Sequence, residues 1–434
     1  MDVLKTNLMP TRPPYLLVFV IGTLLSLLYL KLIPHVHNYS HAGKEFYVGA
    51  KLLTFGKNPY DSQQLQDASR RYAPEGWVAG KKEQPQIHLP ATLAVIGLFS
   101  WLPWAVFWVI QVVLNAFCVP AIVYLCLRYL YPRPPAGGLW AGSLVMAFLA
   151  PTWQNVVIGQ VALPLTLCFL LLARSTTRQT LAKVASLSFL ALLKFTFSLP
   201  LLAYLFWKGT RQQRLAITLA GAAFLAVNVA AVLHIGPHAF LSGYQQQVGY
   251  SFAPGGLNDP LGPGRSARVD LAIVLAGLAG GRALDLLTRA LQGILVGLFL
   301  LRVVQGGCLR HHHLSLTEVS ALALLTLILF YHRIYDTVLL APGLCLIGLD
   351  WKRRRLRPAH WALGGALILC LASIGNHNLV DLALRPLGMT QPPSLRALTV
   401  LVGYLVLVVT VFDGDEHRRA DPQPDRAEAE AVTP

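Results

Sequence analysis

Charge is scarce in this sequence. Only 13% of its 434 residues are Asp, Glu, Lys or Arg, while 55% are hydrophobic; a soluble domain carries roughly a quarter charged residues. That balance excludes an ordinary soluble globule and points to a bilayer. Acids are scarcer than bases, 20 against 36, which leaves a formal charge of +16. No basic stripe interleaved with aromatics marks a soluble domain, which argues against nucleic acid as a partner. In a membrane chain basic residues first set orientation. Cysteine is also sparse, with six in all. Cys118, Cys126, Cys168, Cys345 and Cys370 fall in apolar runs, where cysteine behaves as a small hydrophobe, and Cys308 sits in a basic loop. There is no CxxC, no metal-like spacing and no disulfide framework. The first apolar run, after MDVLKTNLMPTRPP, has no small-residue cleavage site and reads as an uncleaved signal-anchor.

What the sequence has instead is long apolar runs. A span needs about 20 apolar residues, and candidates lie at 15–33, 104–127, 215–233, 284–304, 315–331, 336–350, 360–376 and 394–412, with shorter ones at 138–151 and 158–173. The segment 181–207 is split by Lys194 and reads as a hairpin of two short helices. The total is about twelve transmembrane helices in one all-α polytopic domain, 1–412. Its first outer loop, 34–103, carries interfacial helices. The polar, proline-containing tail 413–434 reads as disordered and cytoplasmic. With both termini inside, KRRRLR at 352–357 and most other short-loop cations fall on the inner side. Only Lys194, Arg333 and Arg385 occupy short outer turns, in keeping with the positive-inside rule. Every polar constellation then faces outward.

Ionisable groups at membrane depth are costly and mark sites by default. Lys194, in LALLKFTFSLP, reads either as a lysine snorkelling to the interface or as a phosphate-binding cation. Gln160, in VVIGQVALP, opens a span, where free N–H groups suit an anion; it reads equally as a cap or an interhelical hydrogen bond. His332, Arg333, Tyr335 and Asp336, in YHRIYD, supply a cation and an acid at one turn, or a solvated Arg–Asp pair. The stretch HAGKEFYVGAKLLTFGKNPYD predicts a helix from Lys44 to Thr54 with Lys44, Tyr47 and Lys51 on one face. A helix with one cationic and one apolar face lies flat in the interface. Asn58, Pro59 and Tyr60 follow in a turn, and Glu45 is an isolated carboxylate. The proline-bounded segment 86–103 is too short to span and reads as re-entrant or interfacial, with His88 at its mouth. HHH at 311–313 lacks a nearby carboxylate and is a weak metal site.

Taken in order, FYVGAKLLTFGKNPYD, HLPATLAVIGLFSWLP, GQVALPLTLCFLLLA, LALLKFTFSLPLL, GPHAFLSGY and YHRIYDTVLLAP form a series that resembles glycosyltransferase family 87 over about residues 15–350. The resemblance implies a GT-C fold in a bacterial plasma membrane, with the active site on the periplasmic or exterior face. It implies a transferase taking a hexose or pentose, mannose first, from a polyprenyl-phosphate sugar to an envelope glycan or glycolipid. Lys194, Arg333 and Lys51 would meet the lipid phosphate, with Tyr47, Asn58, Tyr60, His88, Gln160, His332 and Tyr335 lining the substrate site. Two departures stand out. The aspartate expected about five residues before Tyr47 is replaced by Ala42, and the asparagine of a GQ-x-N block is absent, with Leu163 nearby. The base is therefore Glu45 or Asp336, or activity has been lost. No DxD motif points to a nucleotide donor; no cofactor is expected, and a divalent metal is compatible but not required. A non-catalytic lipid-binding or assembly subunit and a secondary transporter are the competing readings.

Overall fold

The computed structural model describes residues 14–32, 41–73, 86–131, 133–175, 179–254, 256, 258–259, 268–276, 281–306, 308, 314–352, 358–372 and 395–411. The described residues are helical throughout, without a β-strand. The basic run 353–357, HHH at 311–313, Arg385 and the tail 413–434 lie outside them, as do 34–40 and 74–85 of the first outer loop.

Helix α1 (Pro14–Leu32) precedes three short helices, α2 (His41–Thr54), α3 (Ser62–Tyr72) and α4 (Pro90–Gly97). The long α5 (Trp104–Leu130) follows, then α6 (Ala136–Phe148), α7 (Ala150–Ile158) and α8 (Ala162–Ala173). Next come α9 (Leu181–Leu192), α10 (Phe195–Lys208), α11 (Arg211–Ile235) and α12 (Pro237–Phe252). The chain continues through α13 (Leu271–Leu275), α14 (Gly281–Gln305) and α15 (Leu316–Leu329). A 3-10 turn (Ile334–Leu340), α16 (Ala341–Lys352), α17 (Pro358–Ala372) and α18 (Leu395–Val406) complete it.

Among the described residues, four helices are long and apolar enough to cross a membrane: Tyr15–Leu32, Trp104–Leu130, Arg211–Ile235 and Ala283–Gln305. α6 and α7, bent by 63° where they meet, would add a fifth as one broken span. Leu225, Leu233 and Ile294 project from α11 and α14 with about two thirds of their surface exposed. Such apolar outer faces belong to a multi-pass membrane protein. α15 is the opposite case, buried from Leu316 to Ile328, because a helix apolar on every face must be enclosed.

The hairpin at Lys194 follows from register. Gln212 of α11 donates to the Gln179 carbonyl just before α9, and Phe189 and Phe224 meet edge-on farther along both helices. α9 and α11 thus run parallel, so α10 runs back between them. Its two ends carry the two shortest ion pairs of the described residues. At one, Lys194 Nζ lies 2.6 Å from Asp336 Oδ1. At the other, about 20 Å along the helix axis, Lys208 Nζ lies 2.6 Å from Glu318 Oε1, with both side chains almost wholly buried. Glu318 also accepts from the Tyr204 hydroxyl and closes a capping box with Ser315 at the start of α15.

The segment 86–103 forms only the eight-residue α4, with Pro90 at its first position and turns after it. It does not span. Leu98 and Trp101 at its far end are more than two thirds exposed.

Removing one member of a buried ion pair costs about 3–5 kcal/mol, whereas replacing both with apolar groups is often neutral. Lys208→Met is therefore expected to lower the melting temperature of the purified protein. Adding Glu318→Leu should recover part of the loss, the remainder being the Tyr204 bond and the capping box that Glu318 also supplies, as measured by thermal unfolding in detergent.

Candidate functional site

Helix α2 is enclosed rather than laid on a surface. Every residue from Ala42 to Ala50 is buried, because α3, α4 and α5 cover its faces. The expected cationic face toward lipid headgroups is therefore corrected. Lys44 is fully buried and donates to the Ala73 carbonyl at 3.0 Å. The Tyr47 hydroxyl donates to the Leu102 carbonyl. Of that face Lys51 alone stays partly exposed, donating to the Tyr47 hydroxyl with its ammonium over the Tyr72 ring.

Asn58 and Tyr60 hold the turn after α2 in place. The Asn58 side chain accepts from Tyr60 N, in the turn pattern expected of asparagine, and donates to the Ala239 carbonyl. Tyr60 is fully buried between Phe240 and Tyr244, and its hydroxyl donates to the His88 carbonyl at 2.6 Å. That bond positions His88. Its ring stacks on Phe46 at 4.0 Å and sets Nε2 3.6 Å from Glu45 Oε2. Gln86 completes the wall, donating its side-chain amide to the Glu45 carbonyl and its main-chain N–H to Gln247 Oε1.

The second half of the site is the turn YHRIYD. Asp336 is buried and saturated. It accepts Lys194 on one oxygen, and His332 Nδ1 at 2.9 Å and Arg333 N at 3.3 Å on the other. Tyr335 lies under the Lys194 ammonium, 5.2 Å from ring centre to nitrogen. Arg333 donates to the Tyr331 hydroxyl, and its charge acts on Glu45 across the site. Arg268, locked on Asp270 by two 2.8 Å bonds, covers the other side of Tyr331. A single β-bridge between Arg268 and Arg333, with Val269 N donating to the His332 carbonyl, ties this strap to the turn.

The break between α7 and α8 forms a third wall. Gly159 ends α7 at φ +74°, a left-handed position that glycine adopts without strain. Asn155 braces it, donating to the Pro151 and Tyr335 carbonyls and accepting from Ala162 N. From α5, Gln111 and Asn115 donate to the Gly159 and Gln160 carbonyls. The main chain of Gln160 is thereby fixed at the mouth of α8, close to the 3-10 turn.

Geometry thus gathers Glu45, His88, Lys194, His332, Arg333, Tyr335 and Asp336 into one polar centre with Gln160 at its edge. Tyr47 and Tyr60 support it from behind. Lys51 and Asn58 make their contacts elsewhere. The two acids have different environments. Asp336 has every oxygen engaged by positive or donating groups. Glu45 Oε1, by contrast, is buried with no hydrogen-bond partner among the described residues, and burial pushes its carboxyl above the ordinary 4.5, against the pull of His88 and Arg333. His332 Nε2 is likewise buried without a partner, on the ring edge opposite Asp336. No group of three metal-ligating side chains occurs among the described residues.

Asn155, Arg268, Asp270 and Tyr331 escaped the sequence reading. An asparagine inside PTWQNVVIGQ and two amides four residues apart in an apolar α5 are the available signals, since amides in such helices bond across to neighbours. The Arg268–Asp270 strap left no such trace. No family model, curated protein or solved structure matches the chain.

Asn155→Ala removes three hydrogen bonds: one within α7 to Pro151, one from Ala162 at the start of α8, and one that joins the break to Tyr335 of the YHRIYD turn. Each buried partner left unsatisfied costs about 1–3 kcal/mol, so a clear drop in melting temperature is expected.

Proposed function

We propose that this chain is a membrane glycosyltransferase that takes a sugar from a polyprenyl-phosphate donor, mannose first among hexoses and pentoses. The acceptor is an envelope glycan or glycolipid hydroxyl on the outer face of a bacterial plasma membrane. A GT-C arrangement of about twelve spans, with both termini inside and the shorter apolar helices counted as crossings, belongs to the same reading. The observation that carries it is a buried carboxylate with one unengaged oxygen, Glu45, beside a cluster of fixed cations.

Glu45 is the base. Its free oxygen takes the proton of the acceptor hydroxyl as that oxygen bonds to the anomeric carbon. The bond from anomeric carbon to phosphate oxygen breaks, and its electron pair leaves with the polyprenyl phosphate. The growing negative charge on that oxygen meets Lys194 and Arg333, preorganised in a dry site where such charges act strongly. Asp336 serves these groups by position: it holds Lys194 on one oxygen and His332 on the other. Gln160, at the start of α8, offers its side-chain amide to the phosphate. His88 steers the Glu45 carboxylate, and Tyr335 and His332 line the sugar side.

Two outcomes are expected from assays with a polyprenyl-phosphate sugar and the purified protein in liposomes. Glu45→Gln should lose about 10²–10⁴-fold in transfer rate, and Lys194→Ala about 10²–10³-fold, with helical content unchanged in both. Wild-type rates in either variant would sink the assignment. The rate should also fall as pH drops through the raised Glu45 pKa, because the protonated acid cannot take a proton. That acid limb should have its midpoint above 4.5 and be absent from the residual activity of Glu45→Gln.

A further inference from the structure

Two parts of the polar centre arrive on distant stretches of chain: Glu45 and His88 with the first outer loop, Lys194 with the α9–α10 hairpin. The start of α4 touches both. Gln86 and His88 wall the Glu45 side, and α4 begins two residues later at Pro90. In its first turn the Thr92 hydroxyl donates to the Leu193 carbonyl at 2.5 Å. Leu193 immediately precedes Lys194.

That carbonyl lies where a fixed partner matters most. α9 ends at Leu192 and α10 begins at Phe195. Between them Lys194 sits at φ −129° and ψ 76°, outside the helical region. The last carbonyls of a helix have no partner within it, so a break of this kind is held from outside. Thr92 is buried, and its β-branched side chain has few rotamers, which gives the bond a set direction. The neighbouring Ala91 N donates to Asn228 Oδ1 of α11, anchoring the same turn of α4. Lys194 is thus held at both ends, its main chain by α4 and its ammonium by Asp336. A cap from within the hairpin would serve α9 equally well. One supplied by α4 also fixes Lys194 relative to His88 and Glu45.

We infer that Thr92 is a positioning residue, whose hydroxyl fixes the main chain of Lys194 and thereby the placement of its ammonium opposite the Glu45 side. The consequence for rate rests on the proposed transfer reaction; the consequence for the lysine itself does not.

The full chain in liposomes is compared as wild type, Thr92→Val, Thr92→Ser and Asn228→Ala. Acetylation of Lys194 by limiting acetic anhydride is followed by mass spectrometry, beside mannose transfer from undecaprenyl-phosphate mannose to a glycolipid acceptor. Thr92→Val is nearly isosteric and is expected to label severalfold faster at Lys194. It should also lose about tenfold in kcat, because small misplacements of a charge in a preorganised site are costly. KM for the donor should stay unchanged, as for a contact that acts in the transition state. Thr92→Ser keeps the hydroxyl and should restore both readouts. Asn228→Ala loosens α4 without touching Leu193 and should leave both near wild type. Unchanged Lys194 labelling in Thr92→Val would overturn the inference, as would an equal response in Asn228→Ala or an undiminished kcat. Faster labelling in a protein whose wild type transfers no mannose would retain the positioning role and remove the enzymatic reading.

Discussion

A charge removed from water must be matched by another charge or by hydrogen bonds, and here that requirement is met chiefly at Lys194 and Asp336. A lysine in LALLKFTFSLP has no acid near it in sequence. Its partner comes 142 residues later, so the α9–α10 hairpin and the α15–α16 connection must meet before either charge is tolerable. The pair thereby sets the depth at which α10 lies against α15, and the Lys208–Glu318 pair repeats the constraint at the other end of the same helix. Buried ion pairs contribute little net stability against apolar replacements but fix register strongly when formed. α10 and α15 are apolar on most faces and could otherwise slide along one another; two ionic contacts allow one alignment.

Once that alignment is set, the polar centre follows. Fixing Asp336 orients His332 and the main chain of Arg333, and Tyr335 is carried to Asn155 and the α7–α8 break. The β-bridge then brings Arg268 and Asp270 onto Tyr331. Glu45 arrives from a different part of the chain, on a helix buried by α3, α4 and α5, with His88 held by Tyr60. The outcome is one acid with every oxygen occupied and another with an oxygen to spare. Environments that separate two acids in this way suit them to different roles: Asp336 holds neighbouring groups, and the role proposed for Glu45 is to exchange a proton.

Much of this was legible from the residues. The hairpin at Lys194, the non-spanning 86–103 segment and the cluster in YHRIYD all follow from the cost of polar groups in apolar surroundings, which sequence reports directly. The α2 helix was legible in extent but misjudged in setting. Its periodicity places Lys44, Tyr47 and Lys51 on one face, but periodicity says nothing about what covers that face. Lys44 is buried because α3 and the segment ending at Ala73 fold over it, a tertiary fact. The partner of Lys194, 142 positions away, the strap of Arg268 and Asp270, and the bracing of Tyr335 by Asn155, 180 positions away, are contacts between distant parts of the chain, and no local pattern encodes them. The preference for Glu45 over Asp336 as the proposed base rests on the count of partners on each oxygen, which only coordinates give.

The proposal is that the sugar arrives on a lipid phosphate at a cationic centre. The most direct measurement reconstitutes the purified chain in liposomes and offers the same radiolabelled sugar on a polyprenyl phosphate or on a nucleoside diphosphate. Label passing to a glycolipid acceptor from the polyprenyl phosphate alone is the expected result. Transfer from the nucleotide sugar, or no transfer from the polyprenyl phosphate, would contradict the account.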